Sequence, residues 1–416
     1  MNTIVYLNDK RNNYKNPNHF LHIVFFLYWA VLVIWQNIGE YTAGTTIDTV
    51  LKMILLASLA ISYFLNIQNA KIDWIYFLLL LIFIITQMTT FYLDGNFSLS
   101  IIVSYVFPSL LLFLSCVYGS NYKISKKEYV IFLNCVIVVV AYTAIYAVIF
   151  KTEQFLSAFS ISSAYGNELS SFFVSNHEYG MYLIAGIVGC IVCLELKKDE
   201  PLKRKLIYLL CILLFIPNLI LTYSRTSIFA MVGFLIVYIM FTGKSKTKIL
   251  FIIGVAVIVI VFALFDTFRE FVLKIVLKEN NLAGRDDLYK TAIEHFKNGK
   301  PIQKLFGRGI QASREYLESA TSHESVHNAY LQVLLYFGIL GLTFMISFIV
   351  CRAIAAIKLI KTNRFFGVLS LGLVAVCSLI MFSNTAFIFN SPIDSFFLTT
   401  FTILMPKYLE NEIKNI

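Results

Sequence analysis

The chain has 416 residues, 58% of them hydrophobic and only 14% charged, with a formal net charge of +10 and a mean hydropathy of +0.76. Soluble domains carry about 25% charged residues, so this sequence lacks the polar surface needed to cover a water-facing exterior. A soluble enzyme, a disordered chain and a fibre are excluded, and a polytopic membrane protein takes their place.

A helix needs about 20 apolar residues to cross a hydrocarbon core of roughly 30 Å. The apolar runs here are continuous rather than alternating, which predicts helices whose backbone groups are satisfied within each segment. Twelve spans follow in chain order: 20–39, 47–65, 72–91, 98–118, 129–150, 178–196, 205–222, 226–242, 248–266, 327–352, 365–382 and 390–405. Lys and Arg gather on alternate sides of these runs: Lys10, Arg11 and Lys15, then Lys126 and Lys127, Lys197 to Lys205, Lys244 to Lys248, Arg352 to Arg364, and Lys407. Basic residues near span ends mark the cytoplasmic side, so both termini are expected inside. The basic excess then reads as a topological signal and not as a nucleic-acid surface.

Cys190 and Cys193 form a C-x-x-C within an apolar run, where packing is the simpler reading than redox or metal chemistry. Cys116 likewise falls in an apolar run. Asp48 and Lys52, four apart, read as a self-neutralising pair. Asp394 has no assigned role.

One connection is long. The chain divides into an N-terminal bundle of nine spans at 1–266, an external, partly helical loop at 267–326 and three C-terminal spans at 327–416. Long structured loops are usually functional. Within this one, Arg285, Asp286 and Asp287 open a predicted helix, with acids in the first turn where the macrodipole favours them. Leu288, Ala292 and Phe296 form its apolar stripe, and Asn298, Gly299 and Pro301 stop it. The LFGRG segment, Leu305 to Gly309, follows with two glycines that permit a tight turn.

Three polar positions stand out at the external ends of spans. Arg225, in TYSRTS, sits between two apolar runs with almost no loop. It reads either as a side chain snorkelling to headgroups or as a phosphate ligand, since a guanidinium fork matches phosphate oxygens at two points. His327, in SVHNAYLQ, suits general-base work, because a pKa near about 6.5 leaves an imidazole able to take a proton at neutral pH. Its alternatives are a helix-start residue, or a metal pair with His323 if the two share a continuous helix. His177, in VSNHEYG, lines the same cavity or caps its helix, with Asn176 beside it.

In order along the chain stand SR at the start of a span, GR before an amphipathic helix in the long loop, and HN leading into YLQ, Gly338 and Gly341. This set resembles the O-antigen ligase and polysaccharide polymerase family of the bacterial envelope. The resemblance covers about residues 215–345, with a loose match around Phe173 to Asn176. It implies an all-α membrane glycosyltransferase fold of the C type with about twelve transmembrane helices and the large external loop between the ninth and tenth. It implies a donor linked to undecaprenyl diphosphate, held by Arg225 and Arg285, and His327 as the base that deprotonates the attacking sugar hydroxyl. Tyr223, Ser224, Asn328, Asn176, His177 and Arg308 would line the substrate, and the reaction would invert the anomeric centre without metal or cofactor.

Two preplaced guanidinium groups would stabilise the charge that develops on a departing diphosphate. The expected setting is the bacterial cytoplasmic membrane, with the bilayer, lipid-linked oligosaccharide, and chain-length regulator and flippase proteins as partners and no nucleic acid. Joining of repeat units by a polymerase of capsule, exopolysaccharide or O-antigen is the leading expectation, favoured by an Asn-, Lys-, Ile- and Phe-rich composition of the kind AT-rich genomes encode. A ligase transferring polymer to lipid A core is second. A lipid-linked sugar flippase is third, since transporters usually show paired halves and interrupted helices.

Overall fold

In the computed structural model of the protein, every described element is an α-helix. The structure describes residues 74–95, 126–158, 168–173, 175–242 and 285–384, together with position 57 and scattered positions between 248 and 266. The helices are α1 (Trp74–Leu93), α2 (Lys126–Phe150), α3 (Thr152–Ala158), α4 (Asn176–Leu196), α5 (Leu202–Leu221), α6 (Arg225–Thr242), α7 (Arg285–Lys297), α8 (Pro301–Phe306), α9 (Ile310–Thr321), α10 (Ala329–Thr362) and α11 (Arg364–Ser383).

Seven of these fall on predicted spans. Among the described residues, five helices are long and apolar enough to cross a membrane: Leu133–Phe150, Asn176–Leu196, Leu202–Leu221, Ala329–Thr362 and Arg364–Phe382. Shorter apolar helices occupy Phe77–Leu93 and Arg225–Phe241. The predicted spans at 20–39, 98–118 and 390–405, all of 47–65 but position 57, most of 248–266, and the residues Asp48, Lys52, Cys116 and Asp394 lie outside the described residues.

α4 is the central helix of one core. Every residue from Tyr179 to Cys190 is buried, as expected for a helix apolar all round. Its glycines let neighbours approach: a Cβ on Gly186 would stand 2.7 Å from both Phe215 of α5 and Val140 of α2. α5, by contrast, turns Leu206, Ile207, Leu210 and Leu213 outward. A second core joins Phe83 and Phe91 of α1, Leu288 and Ala292 of α7, Ile310 and Leu317 of α9, and Val333, Tyr336, Phe337 and Phe344 of α10. Phe83 and Phe344 stack at 4.2 Å within it.

α11 belongs to both cores. Leu369, Leu373, Val376 and Ile380 pack into the first and Cys377 and Met381 into the second. It runs antiparallel to α6 and α10. Arg364 at its start donates to the Phe241 carbonyl at the end of α6, and near its other end the Ser378 carbonyl accepts from Tyr330 at the start of α10. The beginnings of α6 and α10 therefore lie at one end of the bundle.

α10 departs most from expectation. The predicted span ended at 352, yet the helix continues to Thr362 and is interrupted at Gly338. Arg352, expected among the interfacial cations, is only 1% exposed, because ten further helical residues place it inside the bundle instead of at its edge.

Candidate active site

The TYSRTS turn is a sharp reversal between α5 and α6. Tyr223 takes a φ of 49°, which is uncommon for a residue with a Cβ, and its hydroxyl donates to the Ala158 carbonyl. The turn packs on the start of α4. Asn176 donates from Nδ2 to Glu168 Oε2 and to the Thr222 carbonyl, both at 2.8 Å. His177 Nδ1 and Ser224 Oγ are 2.8 Å apart, and Ser224 donates to Ser227 Oγ at 2.9 Å. The approach is close because position 180 is glycine, where a Cβ would meet Ser227 Oγ at 2.4 Å. Ser175 caps α4 by accepting from the His177 amide. The start of α4, with Asn176 and His177, and the turn carrying Tyr223, Ser224 and Arg225 are thus brought together.

His327 does not lie on a helix. Residues 322–328 are irregular and α10 begins at Ala329 with Asn328 as its cap, whose Oδ1 accepts from the Leu331 amide at 3.1 Å. The His323 and His327 rings are 6.2 Å apart across this irregular stretch, so they do not form the helical i, i+4 pair that a metal site would use. His327 takes a φ of 52°. Its neighbours Val326 and Asn328 are buried while it is half-buried. Residues with a Cβ adopt this conformation at a cost of about 1 kcal/mol or more, and they cluster at functional sites. All four of those among the described residues, Ser171, Tyr223, Ser322 and His327, lie in the turns that connect these helix ends. Burial, the Arg285 charge and His323, in that order, hold the His327 imidazole below its ordinary value. It is therefore neutral, and able to accept a proton, at neutral pH. Arg285 and His327 come from opposite ends of a 42-residue separation in sequence and act on each other here.

Arg285 opens α7, with Asp286 and Asp287 in the first turn as expected. The buried stripe of α7 is Leu288, Ala292 and His295, with Phe296 only partly buried. His295 stacks on Tyr316 of α9 at 3.8 Å, and its Nδ1 lies 3.3 Å from Arg308 Nη1. A guanidinium only donates, so Nδ1 carries the lone pair and the proton sits on Nε2, a buried atom with no partner in the structure. Arg308 also lies against Gly299, where a Cβ would stand 3.2 Å from its Nε. These contacts of Arg308 fasten the end of α7 to the LFGRG turn.

Burial and then Arg308 lower the His295 pKa to about 4. An unfolded histidine titrates near about 6.5, so between these values the unfolded state binds more protons and stability falls as pH drops through that window. Acidification to about pH 4 is expected to cost this helical layer on the order of 3 kcal/mol. Limited proteolysis between residues 297 and 309 should speed up from pH 7 to pH 4.5 in the native protein and less so in His295→Gln. Equal cleavage of the native protein at both pH values would count against this.

Sequence reasoning missed Arg314 as well as His295. Arg314 Nε donates to Tyr336 Oη at 3.4 Å, and Gln332 Nε2 donates to the same oxygen at 2.7 Å. Nothing in the local sequence pairs α9 with α10 in this way.

Four helices therefore start at the residues in question: α4 at Asn176, α6 at Arg225, α7 at Arg285 and α10 just after His327. Helix starts carry partial positive charge and free N–H groups, which favour anions. Residues 209–346 match the family described as O-antigen ligase. The match spans about a third of the chain and shows similarity to that family over this segment. The match takes in Arg225, Arg285, Arg308 and His327, while Asn176 and His177 lie upstream of it. No curated protein matches the chain. The ligase-family match and the long apolar helices together support a multi-pass membrane protein with a ligase- or polymerase-type function in general terms.

Proposed function

We propose that the protein is a polysaccharide polymerase that joins undecaprenyl-diphosphate-linked oligosaccharide repeat units on the external face of the bacterial cytoplasmic membrane. A sugar hydroxyl of one repeat attacks the anomeric carbon of another, the bond from that carbon to the diphosphate oxygen breaks, and lipid diphosphate leaves with the electron pair. His327 takes the hydroxyl proton, and attack from the face opposite the leaving group inverts the centre. Arg225 and Arg285 hold the diphosphate and meet the charge that develops on it.

The observation that carries this reading is His327 itself. It is half-buried, held in a left-handed turn and kept neutral by burial and by the Arg285 charge, at the end of the bundle where Arg225 opens its helix. The reaction is metal-independent in this proposal, because two fixed guanidinium groups supply the positive charge that a cation supplies elsewhere.

The test is purified protein, a defined lipid-linked repeat unit and excess chelator. A ladder of products supports metal-free polymerisation. Loss of the ladder on chelation, with recovery on adding a divalent cation, overturns the metal-free reaction and returns His323 and His327 as ligands.

The matched family's description favours a second reading, ligase. It predicts transfer of preformed polymer to a lipid A core acceptor and no ladder from single repeats. A flippase is the weaker alternative. α10 is interrupted as transporter helices often are, but the carbonyls freed there are taken by backbone amides of residues 308 and 309.

A further inference from the structure

α10 consists of two helical pieces meeting at Gly338, whose φ of 66° and ψ of −162° lie in a region open essentially to glycine alone. A break frees the carbonyls of the preceding turn, and these need partners. Leu335 O accepts from the Arg308 amide at 3.0 Å and Tyr336 O from the Gly309 amide at 3.3 Å. The donors come from a second glycine-only stretch, with Gly307 at φ 90°, ψ 173° and Gly309 at φ 90°, ψ 168°.

Backbone touches backbone here. A Cβ on Gly307 would lie 2.0 Å from Tyr336 O, and one on Gly338 would lie 2.4 Å from Leu305 O and 2.5 Å from the Gly307 amide nitrogen. α1 closes the arrangement from outside. Thr90 donates its hydroxyl to the Phe306 carbonyl. The Asp94 carboxylate lies against Gly309 at the start of α9, where a helix favours an acid.

We infer that Gly307 and Gly338 are positioning residues. Their backbone clip fastens the short piece Ala329–Phe337, which starts beside His327, to the helical layer that starts at Arg285. The two side chains are thereby held as one unit, while the remainder of α10 runs on into the bundle. The inference rests on the proposed roles of His327 and Arg285. The same unit is tied together at two other places. Leu288 and Ala292 of α7 share a core with Val326, Ala329 and Val333, and Arg314 of α9 and Gln332 meet at Tyr336. Without the clip, the end of the short piece would have open carbonyls and nothing to fix its direction.

The test reads the pair directly and needs no sugar substrate. Diethyl pyrocarbonate acylates neutral imidazole, and peptide mass spectrometry resolves His327 from His323. The charged and titratable groups bearing on His327 are Arg285 and His323. In full-length native protein, acylation of His327 should persist at pH values below the ordinary imidazole range. Arg285→Gln should raise the pH midpoint by removing the charge. Gly338→Ala should raise it in the same direction by separating the pair, with acylation at pH 5.5, relative to the same variant at pH 7.5, falling about two-fold or more.

A folded Gly338→Ala protein with the native midpoint overturns the inference. If that variant does not fold, Thr90→Val decides by the same criterion, because it removes the hydroxyl that holds Phe306 without straining any backbone. An unmoved midpoint leaves the transferase reading standing, whereas absence of a polymer ladder from the native protein sinks that reading and leaves the clip untouched.

Discussion

His327→Ala is expected to abolish the cell-surface polymer ladder while single-repeat material persists and the protein remains in the membrane. A positioned base contributes about 10²- to 10⁴-fold to turnover, and loss at the upper end of that range would leave no visible polymer. His327 lies in an irregular turn, outside the hydrogen bonds of any helix, and its neighbours Val326 and Asn328 carry the packing and the cap. Removal of the ring therefore takes away chemistry while leaving the fold in place. The pH profile offers a second reading of the same residue. Because its folded pKa lies below the ordinary histidine value, activity should rise with pH through a limb on the acid side of about 6.5 and be flat around neutrality. An unchanged ladder in His327→Ala, or an acid limb that survives the substitution, would remove His327 from the reaction.

Arg225→Lys should fail to restore activity although the charge is kept. Loss of a preorganised donor at a developing negative charge costs about 10²- to 10³-fold, and a lysine presents a point charge where a guanidinium presents a planar fork. The surroundings of Arg225 are built from rigid contacts: Tyr223 in its left-handed turn, Ser224 and Ser227 packed on Gly180, and Asn176 holding the Thr222 carbonyl. A fork presented from such a base is aimed, and a shorter, flexible chain with a single nitrogen does not reproduce two-point contact. Single-turnover transfer with a defined lipid-linked repeat measures this. A lysine variant with native activity would mean that Arg225 acts through charge alone.

Helix positions were legible because apolar runs of membrane length admit few other structures, and α2, α4, α5, α6 and α11 begin and end within a few residues of the predicted spans. The interruption of α10 was not legible. Gly338 is visible in the sequence, but what stabilises a break there is a segment some thirty residues upstream, and no local pattern encodes that pairing. The stripe of α7 shows a different limit. Eight residues carry Phe296 about 80° round the helix from Leu288, whereas seven bring His295 back to within about 20° of it. The histidine is therefore the buried member, although apolar character pointed to the phenylalanine. At the site, the sequence placed Arg225, Asn176 and His177 at span ends but left open whether His177 lines a cavity or caps its helix. The contact of Arg308 with His295 was not legible, because the burial of His295 was not.

The two halves of the proposed site stand on different cores, joined through Leu359 near the end of α10 and along the length of α11. At its crossing with α6 the spacing is set by glycines on each helix. A Cβ on Gly372 would meet Phe234 at 2.7 Å, and one on Gly233 would meet Leu379 at 2.6 Å. The seating of α11 against the helix that Arg225 opens thus depends on the absence of two methyl groups. On the proposed reading, a substitution at either glycine would reach the site from inside the bundle.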